Sequence, residues 1–436
     1  MTLHCPDDSV PLPRRKAPVR SRNTRMTHRI TVGTVLGVLI LTLASCAEQP
    51  PSAQQTESSA DPTGAGHGAI AGAEEVAEPP LALTTIDPDG TVAHLDLLDE
   101  SITEIGEVSQ ASAMTTDGRY LFADTGAGVE IVDSGVWTWD HVDHFHYYRA
   151  APALLGAVEG EGRAAIATTN SSTSGGTGIS FAASGDAVLL DTEALSKGEV
   201  RELFRLDRDP HDGLVVPVGS FALVTDAEGG AATTVVGYDS TGERVGLEQP
   251  CIAPAGTITT RVGAVIGCAD GALLASVDDG ALSIERIPFP DGAAPSSIAA
   301  FANREGRPTV AALAAPTDIR LLDTRERAWT LLTAAAPLTQ VTAVDDEGGH
   351  LLALAQDGRM LVLRADDGTL LAETAPLVAE SLASGRAPTL IADQHRAYLS
   401  APAERRLYEI DYADDARIAR TFDTATEPAF VAETGR

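Results

Sequence analysis

The strongest constraint on this chain's fold is a turn that keeps returning. Short runs of Val, Ile, Leu, Ala and Thr alternate with turn dipeptides at Asp89-Gly90, Asp117-Gly118, Ser184-Gly185, Asp270-Gly271, Asp279-Gly280, Asp357-Gly358 and Asp367-Gly368. Asp-Gly readily adopts the positive φ angles of a tight hairpin, so each dipeptide marks two antiparallel strands joined end to end. The clearest unit, His350 to Glu373 (HLLALAQDGRMLVLRADDGTLLAE), reads as three strands joined by two such turns. Comparable starts recur near Ala111, Arg163, Leu214, Thr259, Ser296, Gln340 and Thr389, at spacings of 52, 51, 45, 37, 44 and 49 residues. A period of about 40–50 residues with four short strands each is the mark of β-propeller blades. An all-β fold with a single propeller over residues 81–436 is therefore expected. Seven starts imply seven blades, with strands at 81–87 and 91–97 closing the ring against the C-terminal blade. Eight blades follow if those N-terminal strands form their own sheet. Two stacked β-sandwiches would need a linker-like break, and none interrupts 81–436. No long amphipathic helix is evident; residues 376–385 are the best short candidate.

The first 80 residues have a different texture. Residues 1–29 hold seven basic side chains (Arg14, Arg15, Lys16, Arg20, Arg22, Arg25 and Arg29) against Asp7 and Asp8. A 14-residue apolar run, Ile30–Leu43, leads into Leu43-Ala44-Ser45-Cys46. A basic region, a short apolar run and small residues at a cleavage point make up an export signal. The run is too short to span a bilayer, which takes about 20 residues. The Leu-Ala-Ser-Cys ending resembles a bacterial lipobox, which makes residues 1–46 a signal with Cys46 as the lipidated first residue of the exported protein. Met26 is an alternative translation start. Residues 47–80, rich in Pro, Ser, Gln, Gly and Glu, read as a disordered tether between lipid and propeller.

Charge narrows the partners. The chain carries 31 Lys and Arg against 62 Asp and Glu, a formal net charge of −31. From Cys46 onward 24 basic residues face 60 acidic ones, giving −36. Phosphate backbones and anionic bilayers are held by Lys and Arg, so nucleic acid is excluded as a partner and membrane contact is expected through the lipid alone. A monomer is expected. Of the four cysteines, only Cys251 and Cys268 fall in the folded part. In an oxidising compartment such a pair reads as a disulfide, and no His flanks either residue to favour a metal site.

The chemistry concentrates in His141-Val142-Asp143-His144-Phe145-His146, followed by Tyr147-Tyr148-Arg149. Imidazole nitrogen and carboxylate oxygen are zinc ligands, and four candidates lie within six positions. On a strand, residues two apart share a face, so His144 and His146 can grip one ion together. His141 and Asp143 face the other side unless a turn or bulge intervenes, so further ligands come from a bulge or from another blade. His211, in the polar loop Asp207–Gly213, is the best distant candidate, against the plainer reading of a solvated loop residue. His94, His350 and His395 stand singly in strand or turn contexts and read as structural or exposed, and His67 lies alone in the tether. Trp137 and Trp139 are expected to pack beneath the cluster. The Asp-Asp-Gly turns lack the acidic spacing of a calcium loop. No nucleophile elbow, phosphate loop or dinucleotide fingerprint is present.

HVDHFHYYR after GVEIVDSGVWTWD resembles the metal motif of the AztD-type zinc metallochaperones. The ending from Tyr408 to Asp423 and from Pro428 to Arg436, and the Cys251/Cys268 pair with Gly267–Gly271, are similar to that family as well. The resemblance covers residues 81–436. It implies an extracytoplasmic β-propeller that binds zinc and delivers it to the solute-binding protein of a zinc ABC transporter. It puts His141, Asp143, His144 and His146 on the motif and His211 on a loop His. That family also carries a His-rich mobile N-terminal segment, where this tether offers His67 alone. Two other readings of the same residues are a zinc hydrolase, with Asp143 as general base beside a metal-bound water, and a propeller serving only as a protein-interaction platform.

Overall fold

The computed structural model describes residues 70–140 and 144–436. The signal, Cys46, most of the tether with His67, and His141 and Asp143 lie outside the described residues.

The alternating runs form antiparallel meanders joined at the expected turns. The 350–373 unit, for instance, becomes strands His350–Ala355, Met360–Arg364 and Leu370–Glu373, with Leu338–Ala343 paired to the first of them. Eight such sheets follow along the described chain. The first joins Ala82–Ile86, Thr91–Asp96 and Ile102–Glu107 to Phe430–Thr434, and the second holds Ala113–Thr116, Tyr120–Asp124, Gly128–Asp133 and Ala153–Glu159. The third to eighth sheets start at Ala164, Val215, Ala255, Thr309, Leu338 and Leu390.

Apolar faces decide how the sheets assemble. Ile86, Val92 and Val108 of the first sheet region pack on Leu121, Ala123 and Val132 of the second. Buried clusters also join second to third, third to fourth, and onward around the fold. The last cluster brings Tyr398, Leu407 and Phe422 of the eighth sheet against Leu83, Leu95 and Val431 of the first. Adjacent sheets thus bury their faces on one another until the chain returns to its start, which makes the fold a β-propeller. Residues on the first strands of five sheets, Thr116, Ala167, Thr257, Thr342 and Ile391, line one central cavity of about 320 Å³.

The sheet at the seam takes the second of the two expected arrangements. The N-terminal strands form a sheet of their own and do not extend the C-terminal meander. They pair with Phe430–Thr434 in full register, Ala82 opposite Thr434 and Ile86 opposite Phe430. Most of the seven starts were visible in sequence because a local meander follows them, though the sixth sheet opens at Thr309, past the expected Ser296; this additional sheet is instead assembled from distant parts of the chain. The sixth sheet is irregular too. It has three strands, and residues 301–307 are bridged to it at Ala302–Ala311, to the fifth sheet's first turn at Thr260–Gly306 and to the seventh sheet at Asn303–Ala343. The short helix expected at 376–385 is Ala379–Ala383, and Cys251 and Cys268 are joined by a disulfide. Closing a loop of this size contributes about 3 kcal/mol in the chain-entropy account. Among the described residues no helix is long and apolar enough to cross a membrane.

A buried charged group sits where the seam meets the central cavity. Arg436 pairs with Glu305 and, at 3.1 Å, with Glu433. Burial raises the Glu433 carboxyl to about 8 and that of Asp117, which also lines the cavity, to about 7. Gly435, at φ +89°, completes the seam: its N–H donates to the Gly118 carbonyl at 2.9 Å. A Cβ at this position would lie 2.2 Å from the Pro80 carbonyl oxygen, so only glycine fits.

Two outcomes follow for stability. Gly435→Ala should destabilise the fold by about 1–3 kcal/mol from the positive φ alone, with the Pro80 clash adding to it; urea unfolding measures the loss. Asp117 and Glu433 hold their protons in the folded state at a pH where the unfolded chain releases them. Their contribution is therefore complete at low pH and is lost as pH rises through the folded values. The thermal midpoint should be higher at about pH 7 than at about pH 8.5, and Glu433→Gln should flatten that difference. The interval stays above the range in which His94, lowered by burial, opposes the trend.

Candidate metal centre

The histidine cluster belongs to a hairpin inserted between the third and fourth strands of the second sheet. Its arms are Val136–Asp140 and Phe145–Arg149, paired with Val136 opposite Arg149, Trp139 opposite His146 and Asp140 opposite Phe145. A third strand, Glu74–Val76, adds to the outer arm with Glu75 opposite Tyr148. This strand lies within the stretch read from sequence as tether.

The root of the hairpin is fixed. Arg119 makes a two-point ion pair with Asp133, at 2.9 and 2.7 Å, and its guanidinium lies 3.9 Å from the centre of the Trp137 ring. The Trp137 ring is buried and stacks on Tyr148 at 5.3 Å. Thr138 Oγ1 donates to the Gly435 carbonyl at 2.8 Å, and Arg149 pairs with Asp96 at 2.8 Å. Further along, Asp140 lies 3.5 Å from Arg261 of the fifth sheet's first turn. The expected packing of the two tryptophans is therefore split. Trp137 anchors the base, while Trp139 lies against His146 at 5.7 Å.

At the far end, His144 and His146 come together as strand alternation predicts, with ring centres 4.6 Å apart, edge to face. His144 is exposed and His146 half-buried. His146 Nδ1 is 2.7 Å from Glu75 Oε1. A carboxylate accepts, so Nδ1 is the donor in this contact, and Nε2 is the ring nitrogen with which His146 would ligate a metal. A carboxylate behind a ligating imidazole fixes the ring's orientation and raises its basicity, an arrangement that suits zinc. Among the described residues no group of three or more His, Cys, Asp or Glu side chains is placed to hold a metal. His141 and Asp143, the remaining residues of the motif, lie outside the described residues.

His211 is placed differently from the expectation. It is buried, with Nδ1 donating to the Asp209 carbonyl at 2.7 Å and Nε2 2.9 Å from Thr225 Oγ1. Both ring nitrogens are engaged, so here the ring ties its loop to the fourth sheet. His94 bonds Thr84 at 3.0 Å, His350 bonds Asp346 at 2.6 Å, and His395 is exposed. Glu75 is the residue that sequence reasoning missed. It sits in AGAEEVAEPP, where three residues of strand leave no periodicity to read.

No family model matches this sequence, and no curated protein sequence does. Solved structures do. The crystal structure of AztD from Citrobacter koseri superposes with a TM-score of 0.70 at 19% identity, covering 81% of this chain and 97% of that one. Apo AztD from the same organism gives 0.69 at 18% identity, with the same coverage. Dihydro-heme d1 dehydrogenase NirN in complex with DHE aligns at 0.50 and 12% identity over 83% of this chain and 76% of its own. At these identities the likeness is one of fold: this chain has the β-propeller fold of AztD.

Proposed function

We propose that this protein is an AztD-type zinc metallochaperone that works outside the cytoplasm and delivers zinc to the solute-binding protein of a zinc ABC transporter. The observation that carries the reading is the His144/His146 pair, backed by Glu75, at the end of a rigidly rooted hairpin on the AztD fold. Zinc is the cargo. His144 and His146 form the core of the ligand set, and His141 and Asp143 complete it. A site carried at the end of a hairpin is open to a partner. Transfer then proceeds by exchange, each imidazole leaving as a ligand of the receptor replaces it, and the metal is never released to solvent. Cleavage and lipidation at Cys46 would hold the protein at the membrane surface, within reach of a transporter.

Calorimetric zinc titration tests the ligand assignment. The wild-type protein should bind one zinc ion, and the His144→Ala, His146→Ala double variant should lose that binding. Unchanged affinity in the double variant would place the site elsewhere. Glu75→Gln should weaken zinc by about 10–100-fold while leaving the unfolding midpoint in place, because it removes the partner that orients His146 and not the ligand itself. Loss of stability without loss of affinity would make Glu75 merely structural.

Delivery has its own experiment. Zinc-loaded protein is mixed with the zinc-binding receptor in the presence of a fast chelator. Zinc should reach the receptor before the chelator captures it. Transfer no faster than spontaneous release would reduce the protein to a zinc buffer.

A further inference from the structure

The chain's charge is −31, yet one of its cavities gathers arginines. A space of about 1310 Å³ opens beside the hairpin. Among the described residues its wall contains five arginines (Arg261, Arg304, Arg307, Arg327 and Arg436) and four carboxylates (Asp140, Asp278, Glu305 and Asp393), and Glu285, Asp345 and Glu433 stand behind Arg327, Arg307 and Arg436.

Three of these arginines converge through the irregular segment at 301–307. Arg304 N–H donates to the Ala343 carbonyl at 2.7 Å, Arg261 N–H to the Gly306 carbonyl at 3.0 Å, and Arg307 N–H to the Arg304 carbonyl at 3.1 Å. The segment is thereby pinned between the fifth and seventh sheets, and Arg304-Glu305-Gly306-Arg307 turns at Gly306, φ +67°. The side chains of Arg261 and Asn170 both pass within 4 Å of where a Gly306 Cβ would be, so an amide donor joins the guanidinium groups.

Four of the five arginines already meet a carboxylate. Arg436 pairs with Glu305 and Glu433, Arg327 with Glu285 at 3.1 Å, Arg261 with Asp140 at 3.5 Å and Arg307 with Asp345 at 3.5 Å. The Arg304 guanidinium makes no hydrogen bond or ion pair within the described residues. Burial first, and then the charge of Arg307, push Arg304 below the usual guanidinium range, against the smaller opposing pull of Tyr412, Asp346 and Asp345. A half-buried guanidinium with no hydrogen-bonded partner of its own gains from an anion that supplies one.

We infer that this cavity binds a small multivalent carboxylate anion, gripped by Arg304 and flanked by Arg307 and Arg261. Guanidinium presents a planar fork that matches a carboxylate at two points. The neighbours Arg261 and Arg307 already face carboxylates of the protein, so the surroundings suit that group. More than one guanidinium at the wall favours an anion with more than one carboxylate. A net-negative protein repels such an anion at long range, so recognition rests on these short contacts, since charges further off than about 8 Å are screened at physiological ionic strength. The inference is independent of zinc.

The test is calorimetric titration of the zinc-free protein with tricarballylate, and separately with inorganic phosphate. Tricarballylate should bind with saturation at one site. Arg304→Gln should weaken it at least tenfold, and Arg304→Lys, which keeps the charge and loses the fork, should fall between. Arg406→Gln, which removes an ion pair to Asp423 on the eighth sheet, should leave binding unchanged. Thermal unfolding of Arg304→Gln at the wild-type midpoint confirms an intact fold, and Arg304→Lys carries the comparison if that variant fails to fold. No saturable binding to the wild-type protein would overturn the inference, as would equal affinity in the Arg304 variants. Phosphate binding tighter than tricarballylate would overturn the carboxylate assignment.

Discussion

Everything in this structure depends on one pairing between distant parts of the chain: Phe430–Thr434 lying antiparallel on Ala82–Ile86. A stack of meanders left open would expose an apolar sheet face at each end, and burying those faces is the main driving force for closing it. The seam is made with more than apolar contact. Thr84 and Thr434 hydroxyls meet at 3.0 Å in a buried position, and the Glu433–Arg436–Glu305 group ties the same strand to the sixth-sheet region. Removing Arg436 would leave Glu305 without its ion-pair partner at the cavity wall, a larger loss than the pair's own net contribution. Closure also reaches the candidate metal centre, because the Gly435 carbonyl receives the Thr138 hydroxyl of the hairpin arm.

The hairpin shows how a rigid root and an accessible end are built from one short sequence. Trp137 and Tyr148 face each other across the two arms and stack, with Arg119 over the indole. Two residues along each arm, Trp139 and His146 are cross-strand partners. Two residues further still along the outer arm, back toward the turn, is His144. The period of two that sends Tyr148 into the packed root therefore carries His146 and His144 outward along the same face, from buried to half-buried to exposed. A metal ligand gains orientation from the packed end and access from the open one. Glu75 adds orientation from a third strand, and the ring it holds is the inner of the pair.

Much of this was legible in the sequence, for definite reasons. The Asp-Gly turns and their spacing exposed the meanders because the hairpin signal is local, needing only a few adjacent residues. The pairing of His144 with His146 was legible for the same reason. The sheet at the seam was not counted among the seven starts because its fourth strand lies more than three hundred positions from its neighbour, and no local pattern records that. Glu75 was hidden in the same way. Its strand is three residues long and takes its register from Tyr148, not from itself. His211 illustrates the opposite case: a polar loop before a new sheet left both a distant ligand and a solvated residue open. The fold instead buries the ring between the Asp209 carbonyl and Thr225.

The histidines as a set show what separates a structural imidazole from a candidate ligand. His94, His211 and His350 each present Nδ1 to an acceptor or hydroxyl of the fold, as His146 does. A partner on Nδ1 therefore discriminates nothing by itself. The difference lies in what surrounds the ring. His211 has its second nitrogen against Thr225, and His94 is packed where burial disfavours its charged form. His146 stands half-buried toward the turn of the hairpin, with a second imidazole 4.6 Å away. Two imidazoles on one face of an open hairpin end, one of them oriented from behind, is an arrangement that core packing does not require. That end would be as well covered by Thr or Lys, and neither offers a nitrogen lone pair to a metal at neutral pH.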